Sequence, residues 1–129
     1  MRLEVIRCYN RVLEGEEIHI LFYNKENNVY EADGLFFRWD MYDQEDNEVL
    51  ETIEVVELDN NISIRDLVIE IIKLKFKNKL PVFRSSFGTL VHWAIMNGAY
   101  EYVRFYNEIE EPNYTKEELD YMDKCKARM

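Results

Sequence analysis

Residues 51–75 read ETIEVVELDNNISIRDLVIEIIKLK, and the change of period inside this stretch decides the fold. Ahead of Asn60 the apolar residues Ile53 and Val55 alternate with polar ones, the two-residue period of a strand. Beyond Asn61 they step by three and four through Ile64, Leu67, Val68, Ile71 and Leu74, the period of a helix. Ser63 stands where its hydroxyl can cap that helix, with Asp66 as the third helical residue. Lys73, Lys75, Lys77 and Lys79 fall in its last turns, where ammonium groups oppose the negative end of the helix dipole, and Leu80-Pro81 ends it. Because these lysines alternate with Leu74, Phe76 and Leu80, a strand over about 72–80 stays open as the other reading.

Upstream of this boundary the chain continues to alternate. Leu3 and Val5, then Ile18, Ile20 and Phe22, then Leu35, Phe37 and Trp39, predict three more strands. Turn signals separate them at Glu14-Gly15-Glu16, at Asn24 to Asn28, at Asp33-Gly34 and at Asp43 to Asn47. Short spacings favour an antiparallel meander with one face dry and one wet, the wet face carrying the acids. Downstream, helices are predicted from about Phe87 to Asn97, with Gly98 as terminator, and from Ala99 to about Glu110. Thr115 with Glu118 forms a capping box for a last helix through Met129. Strands followed by helices predict an α+β fold: an N-terminal antiparallel sheet of about four strands packed against three or four C-terminal helices. A length of 129 residues suits one domain, with a strand-rich acidic half over 1–60 and a helical half over 61–129.

The net charge of −10 is unevenly placed. Residues 1–59 hold 16 acids and 5 bases, a net of −11; residues 60–108 hold 4 acids and 7 bases, a net of +3; residues 109–129 hold 6 acids and 4 bases, a net of −2. Residues 39–64 contain no lysine or arginine yet carry nine carboxylates from Asp40 to Asp59. Aromatics at 14% argue against a disordered acidic tail, because such tails lack bulky apolar groups. The acidity opposes direct binding to nucleic acid or to an anionic membrane, which call for clustered Lys and Arg. Met1 and Arg2 are followed by Glu4 with no apolar leader, and the best mostly apolar run, Leu90 to Met96, includes His92, so a cytoplasmic protein is expected. Cys8 and Cys125 have no CxxC or CxxH spacing and read as free thiols.

Thr89-Leu90-Val91-His92-Trp93-Ala94, followed by Gly98 and Val103, resembles one degenerate ankyrin repeat over residues 89–106. Leu90 stands where that family has proline, and no second copy appears at the repeat spacing. The resemblance implies a helical hairpin in which Thr89 and His92 pack, without chemistry. A lone repeat cannot bury its own face, so the hairpin is expected to lean on the sheet.

Catalytic candidates are few. His19 sits between Ile18 and Ile20, and His92 has Ser85 and Ser86 near it in sequence but no nucleophile turn, so both read as structural; an enzyme using His92 or His19 is a minor alternative. Asp43, Glu45, Asn47 and Glu54 fit an EF-hand count, but Glu48 stands where the loop needs glycine and Val49-Leu50 reads as strand, so no metal or cofactor is expected. The basic patch of Lys73, Lys75, Lys77, Lys79 and Arg84 reads as helix capping that offsets the acidic half.

The acidic run, with Tyr30, Phe36, Trp39 and Tyr42 interleaved, is the candidate docking site: a field of carboxylates can capture a basic partner, and aromatics supply anchors. The residues expected to bind are Trp39, Asp40, Tyr42, Asp43, Glu45, Asp46, Glu48 and Glu51. Small size, acidity and absent catalytic motifs are similar in class to toxin immunity proteins and phage anti-defence inhibitors, which implies a nucleic-acid mimic against a basic, nucleic-acid-processing partner. An interaction module built on residues 89–106 is the alternative. Either could be a monomer or a homodimer.

Overall fold

The computed structural model describes residues 1–24, 28–32, 42–80, 82, 89–110 and 114–127. Among these the chain is α+β, four antiparallel strands followed by four helices, in two compact units, Met1–Ile62 and Ser63–Met129. The expected change of period after Asn61 coincides with the boundary between them.

Unit one holds strands β1 (Arg2–Asn10), β2 (Gly15–Asn24), β3 (Asn28–Glu31) and β4 (Asn47–Glu57). Their spatial order is β3-β2-β1-β4, all neighbours antiparallel. This is a Greek-key order and corrects the expected meander: the fourth strand returns by a long connection to lie beside the first. The third strand also differs. Asn28–Glu31, next to a stretch read as a turn, pairs with β2, while the expected strand at Leu35 to Trp39 lies outside the described residues.

The β1–β2 turn is built by Asn10, whose Oδ1 accepts from the amides of Val12 and Leu13, both at 2.9 Å. The left-handed residue of this turn is Glu14 (φ 54°), one position before Gly15. A second set of bonds closes the far end, where the Leu58 amide donates to the Met1 carbonyl at 2.8 Å and the Met1 amine to Asn60 Oδ1 at 2.9 Å.

Both faces of the sheet are dry at its centre, which corrects the expectation of one wet face. Leu3, Val5, Ile20 and Phe22, matched by register, are buried on one face. On the other, Ile6, Cys8, Leu21 and Val29 form a cluster with Tyr42, and Tyr23 packs against it. β1 is the strand buried most on both faces, with Leu3 and Val5 on one and Ile6 and Cys8 on the other, while its neighbours β2 and β4 cover its edges.

Unit two holds α1 (Ile64–Lys77), α2 (Thr89–Met96), α3 (Glu101–Ile109) and α4 (Lys116–Ala127). α1 begins at Ser63, whose Oγ accepts from the Asp66 amide at 3.1 Å, and it runs through 72–77, which excludes the strand reading there. It ends in a Schellman motif: the Leu80 amide donates to the Lys75 carbonyl and the Lys79 amide to that of Phe76, with Lys79 at φ 57°. α2 ends in the same motif, with Gly98 (φ 66°) at the left-handed position and Ala99 donating to the Ala94 carbonyl. Leu90, Val91 and Ala94 of α2 and Val103 of α3 are buried, and both helices pack on α1. The helical hairpin thus has a partner inside its own unit. α4 opens with the expected capping box, Glu118 donating its amide to Thr115 Oγ1 and accepting from the Thr115 amide. Asp123 holds it to α3 by accepting from the Tyr100 hydroxyl and pairing with Arg104.

Candidate functional site

β4 carries the acidic run, and its pairing with β1 sorts the side chains. Two β-bulges interrupt the register, between Val5 and Ile6 and between Arg7 and Cys8, leaving Ile53 and Leu50 without counterparts on β1. In a regular strand, positions three apart face opposite ways. Here each bulge absorbs one residue, so Glu48, Glu51 and Glu54 stand opposite Tyr9, Arg7 and Val5, which share one face of β1. Val49, Thr52 and Val55, opposite Cys8, Ile6 and Glu4, form a second row on the other face. The segment EVLETIEVV is therefore a three-residue repeat folded into an acidic row and a mostly β-branched apolar row. That period, neither two nor 3.6, was the available sequence signal for the bulges.

The acidic row has cations beside it, supplied by the neighbouring strand rather than by sequence neighbours. Arg7 pairs with Glu51 at 3.3 Å and with Glu16 of β2 at 2.8 Å, and Arg11 lies 3.9 Å from Glu48. The hydrogen bond to Glu51, followed by that to Glu16, raises the Arg7 pKa further above the ordinary arginine value. These contacts are solvent-exposed, so they orient the carboxylates more than they stabilise the fold. In the apolar row Val49 and Val55 keep 51 and 47% of their surface exposed, and the bulge residues Leu50 and Ile53 keep 42 and 43%.

The expected site residues separate into three groups. Glu48 and Glu51 lie in the acidic row. Asp43, Glu45 and Asp46 form the turn that leads into β4, where the Asp43 carboxylate accepts from the amides of Glu45 (2.9 Å) and Asp46 (3.2 Å). The Asp46 amide is the largest cause holding the Asp43 carboxyl below the usual range, and the hydrogen bond to Asp43 raises that of Asp46. Arg11 latches the turn, its amide donating to the Asp46 carbonyl and its guanidinium to that of Glu45. Tyr42 is only 7% exposed and belongs to the core, so it offers no docking surface. Its hydroxyl is buried beside the Cys8 thiol without a hydrogen-bond partner of good geometry, and burial raises the pKa of both groups. Trp39 and Asp40, with Phe36, lie outside the described residues.

His19 is bound on both ring nitrogens, Nδ1 to Glu31 and Nε2 to Glu17, each at 2.7 Å. The Glu31 hydrogen bond is the largest cause raising its pKa, partly offset by burial. Both nitrogens are thereby engaged by carboxylates, in a cross-strand tie of β2 to β3. His92 lies on α2 with its ring edge-on to Trp93, centroids 6.4 Å apart, while Ser85 and Ser86 lie outside the described residues. The EF-hand residues are placed apart: Asp43 serves its turn, Asn47 donates to the Asp43 carbonyl, and Glu54 is a half-buried position of β4 opposite Val5. Among the described residues no three His, Cys, Asp or Glu side chains gather in a metal-holding geometry, and no helix is long and apolar enough to cross a membrane. Of the basic patch, Lys75 is buried and Lys73 and Lys77 are exposed, so α1 carries no single basic face, and Arg84 lies outside the described residues.

One further surface was missed in the sequence. Tyr102, Phe105, Tyr106 and Ile109 recur at helical spacing along α3, with Phe105 and Ile109 50 and 59% exposed, and Phe105 and Tyr106 in edge contact at 5.1 Å. Compared with known protein families, curated proteins and solved structures, the chain has no match.

Proposed function

We propose that the chain is a small acidic binding protein that docks a basic, nucleic-acid-processing protein partner and inhibits it, in the manner of toxin-immunity or phage anti-defence proteins. The observation that carries this reading is the row Glu48, Glu51 and Glu54, gathered on one face of an exposed strand by the two bulges. Successive members stand two β1 residues apart, roughly 6.7 Å, about twice the 3.4 Å axial rise per phosphate along one strand of a duplex. Evenly spaced anions of this kind suit a groove lined with Lys and Arg. Arg7 orients Glu51 through a hydrogen bond and Arg11 lies beside Glu48, which lowers the entropy lost on docking at those two positions. The test is capture of partners from the native host by the chain and by a Glu48→Lys/Glu51→Lys/Glu54→Lys variant, with nucleic acid as competitor. The expected partner binds at low salt, is displaced by nucleic acid and ignores the variant. Equal capture by both chains, or no competition, overturns the reading.

A second reading rests on α3. The half-exposed Phe105 and Ile109 favour an interaction module using the helical hairpin. Phe105→Ser with Ile109→Ser then abolishes partner capture while the β4 variant retains it.

A further inference from the structure

We propose that the outer edge of β4 receives an extended partner segment as a fifth strand, one that alternates basic and apolar residues. This deepens the functional reading above and rests on it.

β4 pairs on one side with β1, and no described residue pairs with its other side. Its eleven residues, two of them absorbed by the bulges, run alongside nine of β1, about 30 Å at 3.3 Å each, and so present an extended backbone edge. The opposite edge of the same sheet does not share this property, because the Tyr42 amide donates to the Val29 carbonyl of β3 at 3.1 Å.

The side chains state which strand fits. A strand added to β4 lies beside Glu48, Glu51 and Glu54 on one face and beside Val49, Thr52 and Val55 on the other. Its own side chains alternate between those faces. Lysine or arginine at every second position therefore meets carboxylates, while the intervening apolar residues cover the exposed row of Val49 and Val55, which continues the face on which Ile6 and Cys8 are buried. Main-chain bonds supply affinity and the two rows supply selection.

A second copy of this chain is the rival occupant, and charge opposes it. Edge-to-edge pairing of two β4 strands in one continuous antiparallel sheet sets one acidic row beside the other on the same face, and like charges across strands are destabilising. Bulges and edge charges are recognised guards against self-pairing. The same glutamates attract a basic strand, so the guard against copies also selects the partner.

The experiment titrates the full chain with a capped peptide of roughly eight alternating Lys and Val residues, about 26 Å when extended. Amide exchange of β4 and β1 is the readout. Two further peptides complete it, one N-methylated at alternate residues and one with Glu in place of Lys. The expected result is slowed exchange of outward β4 amides by the Lys-Val peptide, binding weakened at least about tenfold by N-methylation, and no effect of the Glu-Val peptide. Equal binding of the methylated peptide overturns strand addition while leaving charge-driven docking standing. Absence of binding by every peptide overturns strand addition, and the functional reading is then decided by the host-capture experiment. Concentration-dependent protection of β4 without peptide overturns it in favour of a second copy. The triple lysine variant, with β1 protection as proof of folding, is expected to exchange its preference from Lys-Val to Glu-Val peptide.

Discussion

β3 and β4 close the same sheet at opposite edges and treat their outward backbone groups differently. β3 has four residues, buries Val29, receives a hydrogen bond from the Tyr42 amide and is tied to β2 through Glu31 and His19. β4 has eleven residues, buries none of them and is bordered by exposed ion pairs to Arg7 and by Arg11. A short strand capped by its own chain leaves little edge to pair with anything else. A long strand with bulges and glutamates leaves an edge that is guarded selectively. β3 thus belongs to the stability of the unit and β4 to its surface chemistry.

The largest expected effect lies on the β3 side. Tyr42→Ala removes a buried ring from the cluster of Ile6, Cys8, Leu21 and Val29, and is expected to lower the unfolding free energy by about 3 kcal/mol in urea titration. Tyr42→Phe, which keeps the ring and removes a hydroxyl without a good partner, is expected to cost less than about 0.5 kcal/mol. Equal losses from the two variants contradict the packing role.

Next comes the His19 tie. Its folded pKa is raised above the ordinary 6.5, so the stabilisation is fully present below pH 6.5 and is lost as pH rises through the folded value. His19→Gln is expected to cost about 2 kcal/mol at pH 6 and to flatten the fall in stability as pH rises above the ordinary histidine value. An unchanged pH profile in the variant removes the tie from the account.

Smaller still is the effect expected on β4. Val55→Ala, at a half-exposed edge position, is expected to stay within about 0.5 kcal/mol of the parent chain. A loss as large as that of Tyr42→Ala places β4 in the core and erases the contrast. Smallest is Arg7→Gln, whose exposed pairs are expected to leave the thermal midpoint within replicate scatter while steepening the salt dependence of partner binding.

The helical half was closely legible because its signals are local. Ser63, Gly98 and the Thr115/Glu118 box sit within one turn of the bonds they make, and the helices begin and end beside them. The sheet was legible in kind but not in order. Nothing within reach of Leu3 states that its second neighbour is Val56 rather than a residue of the third strand, since that pairing is made across the chain. The acidic run was legible as composition, but the cations beside it were not, because Arg7 and Arg11 are far from it in sequence and adjacent in space. Tyr42 was misread as a surface anchor for the same reason: its neighbours Cys8 and Val29 come from other strands.

The α+β class, the boundary near Asn61, the helix caps and the concentration of acid in the first half all follow from residue type and short-range spacing. Tertiary structure alone decided the strand order, the two bulges that turn a three-residue repeat into an acidic row and an apolar row, and the arginines set beside that row. The physical reason is that a strand's partners, and therefore the faces its side chains occupy, are fixed by hydrogen bonds to residues distant in the chain.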